Sequence, residues 1–370
     1  MSRTPILDGE QRLPTRKVHW LLAVLIGFAI GGLLFALDRA RGSVGPLIPA
    51  QGFILFVPAL YIAIFVHELG HLIGGTTARF ELRTFMVGAF LFNKEDGGWR
   101  FRLVLRNLFW GGLTASVPRS SEGLVNRYVR FVLGGPVATF LLLIFTLLLP
   151  GGLLIRLLFW INLLLAISVC IPYTVAYLPN DARLILLLTR KGAAEARTVA
   201  ILYLLAIDAQ GKRPCEWPPE LVEKLDVNSK DKSRLPVALS FLLSDAAQKE
   251  DAERAAEILE RALAINNKML PDVRRGFLAA ASFYHGFHRK DASRSEEWLM
   301  QARSVKGSSS QKDWDTGALA AVWFAKGDYS QSSELLARYI ALLDRQPMSG
   351  RIVAERERII ALRNTLMAHA

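Results

Sequence analysis

Two histidines and a glutamate, in the run His67-Glu68-Leu69-Gly70-His71, have the types and spacing for metal chemistry. On a helix, residues four apart share a face, so the two imidazoles lie one turn apart with a carboxylate beside them. Neutral imidazoles ligate zinc, and a glutamate in this position serves as general base toward an activated water. No charged residue occurs from Gly42 to Val66, so the motif arrives in or at the edge of a membrane helix.

A catalytic zinc usually takes three protein ligands and leaves a fourth position for water. His67 and His71 supply two, and the remaining histidines, His19, His285, His288 and His369, lie in flanking or polar segments. Asp181 is the candidate third ligand. It ends the uncharged run from Leu157 to Asn180, and an ionised aspartate in a span costs about 2.5–3.5 kcal/mol unless it is paired or coordinated. Pro172 and Pro179 lie just before it and are expected to break the helix, leaving backbone that persists only beside protein or water. Glu68 is then the expected base, taking a proton from water and passing it to the leaving amine.

These residues need spans to hold them. Uncharged runs at Val18–Leu37, Gly42–Val66, Phe131–Ile155 and Leu157–Asn180 are each long enough to cross a hydrocarbon core of about 30 Å. The expected spans are 18–37, 53–77, 131–150 and 153–188, the last broken near 172–179. The first is read as retained, because its apolar length exceeds a signal core and Leu37-Asp38-Arg39 is a poor cleavage site.

The chain has 370 residues and a formal charge of +12, which raises nucleic acid as a partner. The placement of the charge argues against it. Arg3, Arg12, Arg16 and Lys17 precede the first span, and nine basic residues from Arg79 to Arg130 fill the segment between the second and third. The opposite connections hold only Arg39 and Arg41, then Pro150-Gly151-Gly152. By the positive-inside rule the N-terminus, the middle segment and everything after Arg190 are cytoplasmic. The excess charge is a topology signal with a secondary role toward anionic lipid. Cys170 and Cys215 are the only cysteines and offer neither a disulfide framework nor a thiolate zinc site.

The ordered set resembles the site-2 protease family of intramembrane zinc metalloproteases, over about Phe53 to Arg190. Besides the histidine motif, Gly134-Gly135-Pro136 is similar to the family's Gly-Pro segment, and Pro179-Asn180-Asp181-Ala182-Arg183 to its late Asp-Gly motif. Leu108-Phe109-Trp110-Gly111-Gly112 is similar to its Gly-Gly segment near the membrane-edge strands. The resemblance implies a zinc endopeptidase cutting transmembrane segments of protein substrates, with His67, His71 and Asp181 on the metal and Glu68 as base. It gives Gly111, Gly112, Gly135, Pro136 and Thr139 to substrate positioning. Thr139, Ala182 and Val169 depart from the family's usual Asn, Gly and Asn, which bears on substrate positioning rather than zinc binding.

Between spans two and three, Trp99-Arg100-Phe101-Arg102-Leu103 alternates like a half-buried strand, and Asn93–Gly98 connects it to Phe85–Phe92 in a predicted hairpin. The bland reading turns its arginines toward lipid headgroups. The resemblance implies an edge strand near Gly111-Gly112 that pairs with an unwound substrate.

The expected architecture is mostly α: a membrane metalloprotease domain over 1–190 with about four spans and a membrane-edge hairpin, a linker over 191–234, and a soluble helical domain over 235–370. Pro214, Pro218 and Pro219 mark the linker. Asp251-Ala252, Asp291-Ala292 and Asp328-Tyr329 open similar units spaced about 40 residues apart, which resembles a degenerate tetratricopeptide-like array with a usual period of about 34. Such an array offers a concave face to a protein partner or substrate. The reading is an integral multi-pass protein of a bacterial inner membrane. The alternatives are a catalytically inactive membrane scaffold working through the helical domain, and a transporter, for which no inverted repeat is evident.

Overall fold

Helix α1, Pro49–Thr77, carries the histidine motif near its C-terminal end. In the computed structural model the described residues are 49–95, 98–105, 108, 111–306 and 315–369. The expected first span at 18–37, its flanking charges Arg3, Arg12, Arg16, Lys17, Arg39 and Arg41, and Phe109-Trp110 lie outside them. Helix α1 stops where Arg79 adopts a left-handed φ of 58°, and Arg127 Nε donates to the Ala78 carbonyl at 2.8 Å.

Four antiparallel strands follow: β1 (Phe80–Val87), β2 (Phe90–Glu95), β3 (Gly98–Leu103) and β4 (Gly112–Pro118). Their order is β3-β2-β1-β4, so β4 is an edge strand on the β1 side. The expected hairpin is thus half of a larger sheet. The run read as one strand, Phe85–Phe92, reverses at Gly88, whose φ of 53° suits the tight turn. Its neighbours are apolar, which hid the turn.

Helices α2 (Leu124–Leu148) and α3 (Leu153–Cys170) follow. Among the described residues three helices are long and apolar enough to cross a membrane: Ile54–Thr77, Leu124–Leu148 and Leu153–Cys170. Exposed Leu141, Ile144, Phe145 and Leu148 on α2 form the kind of surface that hydrocarbon covers. Backbones of α1 and α2 touch where Gly70 meets Gly134. A Cβ on either glycine would run into the other's carbonyl oxygen, so only hydrogen at both positions allows this approach.

The stretch 153–188, expected as a fourth span, is not one helix: α3 ends at Cys170, before Pro172. After Cys170 the chain forms a two-stranded ribbon, β5 (Thr174–Val175) and β6 (Leu178–Pro179), before α4 (Asp181–Thr189). Ala176 and Tyr177 in its turn both have positive φ, a geometry usually given to Asn-Gly. Tyr177 offsets that cost by packing on the core of the C-terminal half and accepting the Arg234 N–H at 2.8 Å.

The stretch 191–234, expected as a linker, contains α5 (Ala193–Ala209) and α6 (Pro219–Leu225). Leu202 and Ala206 of α5 pack with Phe80, Tyr128 and Phe131, while Ala200, Ile201 and Leu204 pack with Trp217, Leu239 and Phe241. Helix α5 is therefore a shared wall between two apolar cores. Beyond it come α7 (Leu235–Gln248), α8 (Ala252–Leu263), α9 (Pro271–Phe287), α10 (Ala292–Ser304), α11 (Thr316–Ala325), α12 (Tyr329–Leu343) and α13 (Gly350–His369). Asp251, Asp291 and Asp328 cap α8, α10 and α12, each accepting the N–H three residues on at 2.9 Å.

Candidate metal centre

His67, His71 and Asp181 converge. The two Nε2 atoms lie 3.2 Å apart, with Asp181 Oδ2 3.3 Å from His67 Nε2 and Oδ1 3.4 Å from His71 Nε2. Both histidines and Glu68 are buried, while the Asp181 side chain is 17% exposed.

The partners on the far side of each ring fix its tautomer. His71 Nδ1 is 3.1 Å from the Phe131 carbonyl, which can only accept, so Nδ1 carries the proton. His67 Nδ1 is 2.8 Å from Thr139 Oγ1, whose own hydroxyl donates to the Gly135 carbonyl at 3.1 Å. Thr139 must therefore accept from His67. In the neutral rings both Nε2 atoms are bare, facing each other and a carboxylate. Three lone pairs aimed at one point repel unless a cation sits between them. A tetrahedral metal with bonds of about 2.0–2.1 Å sets its ligands about 3.3–3.4 Å apart, and the separations of 3.2, 3.3 and 3.4 Å are close to this, with Asp181 turning a different oxygen to each ring. The three residues could hold a divalent metal with a fourth position left for water.

Each of the three side chains is positioned by a separate device. Gly135 of α2 lies against the two rings, and a Cβ there would strike His71 Nε2 and the His67 ring. Asp181 is the first residue of α4, where the helix dipole favours a carboxylate. Asn180, just before it, uses its amide fully. Oδ1 accepts from the Tyr173 and Arg183 amides, both at 3.1 Å, and Nδ2 donates to the Ser168 and Ile171 carbonyls at 3.1 and 2.8 Å. It thus ties the end of α3 to the start of α4. Arg183 then pairs with Asp231 from the loop before α7.

Glu68 meets the edge strand. Thr114 Oγ1 donates to Glu68 Oε2 at 2.6 Å, and Gly112 lies so close that a Cβ would overlap the Glu68 side chain. Of the residues expected to position substrate, Gly112 sits directly against Glu68. Gly111 is exposed, and its carbonyl accepts the Gly88 N–H at 3.1 Å. Pro136 is buried in α2. Thr139 is fully buried, with its hydroxyl engaged between His67 Nδ1 and the Gly135 carbonyl.

No protein-family model, curated protein or solved structure matches the chain.

Thr114 and Asn162 escaped sequence reasoning, and Asn180 entered it only as part of the motif around Asp181, with no role of its own. Asn180 had a signal, since an asparagine before a helical aspartate is an N-cap pattern. Thr114 and Asn162 act across long sequence separations. Asn162 of α3 is fully buried and donates to the Thr139 carbonyl at 2.7 Å, bracing the residue that holds His67.

Proposed function

We propose that this chain is an intramembrane zinc endopeptidase of the site-2 protease kind, hydrolysing peptide bonds in transmembrane segments of other proteins. The observation that carries this reading is the convergence of two unprotonated imidazole nitrogens and one carboxylate, with Glu68 next along the same helix. A site made of two nitrogens and one oxygen suits zinc. Zinc, when bound there, supplies a Lewis acid that acidifies water and polarises the scissile carbonyl.

The chain's own residues do the rest. Glu68 accepts the proton of the attacking water and returns it to the departing amine. Thr114 holds Oε2, which leaves Oε1 as the basic oxygen and fixes the carboxylate's orientation. His67 and His71 are kept in the ligating tautomer by Thr139 and the Phe131 carbonyl. A helical substrate hides its peptide bonds, so it must be extended before attack. Strand β4 is an edge strand beside Glu68, and an unwound segment adding to it would present an accessible peptide bond.

By the positive-inside rule, the site opens near the cytoplasmic face of a bacterial inner membrane, with the C-terminal helices on the same side. Those helices, tetratricopeptide-like in spacing, would receive a protein partner. Purified protein incubated with a labelled single-span substrate tests the reading. Wild type should cleave, and Glu68→Ala and Asp181→Ala should each lose cleavage. Full cleavage by Glu68→Ala would sink it, and zinc binding without cleavage of any membrane substrate would favour the scaffold.

A further inference from the structure

Asp181 opens α4, and the short ribbon before it cannot fix its own position. Strands β5 and β6 have two residues each, and a lone two-stranded hairpin is marginally stable at best in water. The turn between them carries Ala176 at φ 49° and Tyr177 at φ 66°. Non-glycine residues keep such left-handed values only where their surroundings impose them. Asn180 ties the ribbon back to α3, and the segment 226–234, between α6 and α7, holds it from the other side.

Thr174 Oγ1 and Ser233 Oγ lie 2.9 Å apart, and Ser233 is buried. The Arg234 N–H donates to the Tyr177 carbonyl at 2.8 Å, and Arg234 is itself left-handed, with φ 59°. The strained residues of the two segments therefore meet at one contact. The Tyr177 ring packs on the core that contains Trp217 and Phe241. Arg183, in the first turn of α4, sends its guanidinium to Asp231 Oδ2, while its N–H is held by Asn180. The turn that presents Asp181 is thus gripped both from α3 and from 226–234.

The segment is anchored in turn to the helical half. Asp231 Oδ1 accepts the Ser233 N–H at 2.7 Å, and the Asp231 carbonyl accepts from Arg197, a buried guanidinium on α5. At the other end, Asp226 pairs with Arg254 and, at 2.6 Å, with Arg261, both on α8. Charge-assisted and backbone hydrogen bonds therefore run without a break from α8 to the turn that carries Asp181.

We propose that the segment 226–234 sets the position of the Asp181 carboxylate from the helical half, with Asp231 and Ser233 as positioning residues. This role rests on the metal-centre reading and adds a route for its regulation: whatever shifts α8 shifts the first turn of α4. Without these contacts Asp181 still reaches the metal but is held less firmly, so the effect falls on affinity and geometry rather than on stoichiometry.

The test uses the full chain purified in detergent. Zinc affinity is read by competition with a chromogenic chelator, and ligand geometry by the visible absorption of the cobalt(II)-substituted protein. Amide exchange over 173–180 is followed in the metal-free chain, and circular dichroism checks folding. Asp231→Asn and the milder Ser233→Ala break the near end, and Arg254→Gln/Arg261→Gln the far end. Asp231→Glu is the conservative variant, and Asp245→Asn, which breaks the Lys249 pair on α7, is the control. In the near-end and far-end variants zinc affinity should weaken about three- to tenfold, short of the 10- to 100-fold typical of a group touching the ligand itself. The cobalt spectrum should change and exchange over 173–180 quicken, with about one zinc still bound at saturation. Asp231→Glu should restore part of the loss, and Asp245→Asn should match wild type. Unchanged zinc affinity and cobalt spectrum in Asp231→Asn and Ser233→Ala, or in Arg254→Gln/Arg261→Gln, overturns the coupling even if Tm falls. A wild-type chain that binds no zinc overturns the metal centre itself, and this role with it.

Discussion

Thr114 of β4 donates a 2.6 Å hydrogen bond to Oε2 of Glu68 on α1. One link thereby joins the sheet edge, where a substrate strand would add, to the base that would act on it. A hydrogen bond to a charged group is worth about 1.5–3 kcal/mol. Thr114→Val should therefore lower kcat about 10- to 100-fold while KM and zinc content stay near wild type. Single-turnover cleavage with parallel metal analysis checks this, and an unchanged kcat would remove Thr114 from the mechanism.

Thr139 supports His67 from behind. Its hydroxyl accepts the His67 Nδ1 proton and keeps Nε2 free. Partners of this kind typically contribute about 10- to 100-fold to metal affinity, so Thr139→Val should weaken zinc binding by that order. Thr139→Ser should largely restore it. Competition with a chromogenic chelator reads both.

Gly135 keeps α2 clear of the two imidazoles. Gly135→Ala forces a methyl into the rings, and overpacking of this sort costs about 1–3 kcal/mol. Lower zinc stoichiometry and a reduced Tm are expected together. Normal zinc loading would show that the helices relax around the methyl.

Asp226 supplies a pH test outside the three long apolar helices. Burial pushes its carboxyl up, but Arg261 at 2.6 Å and Arg254 outweigh this and hold it below the usual range. A folded pKa below the unfolded value of about 3.9 means the contribution is present above that pH and lost as pH falls through the folded pKa. Asp226→Asn should lower Tm at neutral pH, and the gap to wild type should close on acidification below about pH 4. A gap that stays constant with pH would contradict the ion-pair account.

What was legible in the sequence follows physical lines. The histidine motif was legible because its geometry is local to one helix turn. Asp181 was legible because a charge interrupting an apolar run requires a reason. The aspartates opening α8, α10 and α12 were legible as helix starts for the same local cause, and their capping hydrogen bonds came from the structure. Helix α5 was misread as part of a linker because it buries residues on two faces, toward two cores, and so shows no single amphipathic stripe. The turn at Gly88 was hidden between apolar residues. Thr114 and Asn162 left no trace, since their partners lie 46 and 23 residues away and only the packing of α1, α2, α3 and β4 brings them in.

Metal content of the purified chain tests the central claim most directly. Elemental mass spectrometry should find about one zinc per wild-type chain, the same in Glu68→Gln, and close to none in His67→Ala/His71→Ala and Asp181→Ala. Absence of zinc from wild type after zinc loading, or its retention in the double-histidine variant, would contradict the metal centre described here.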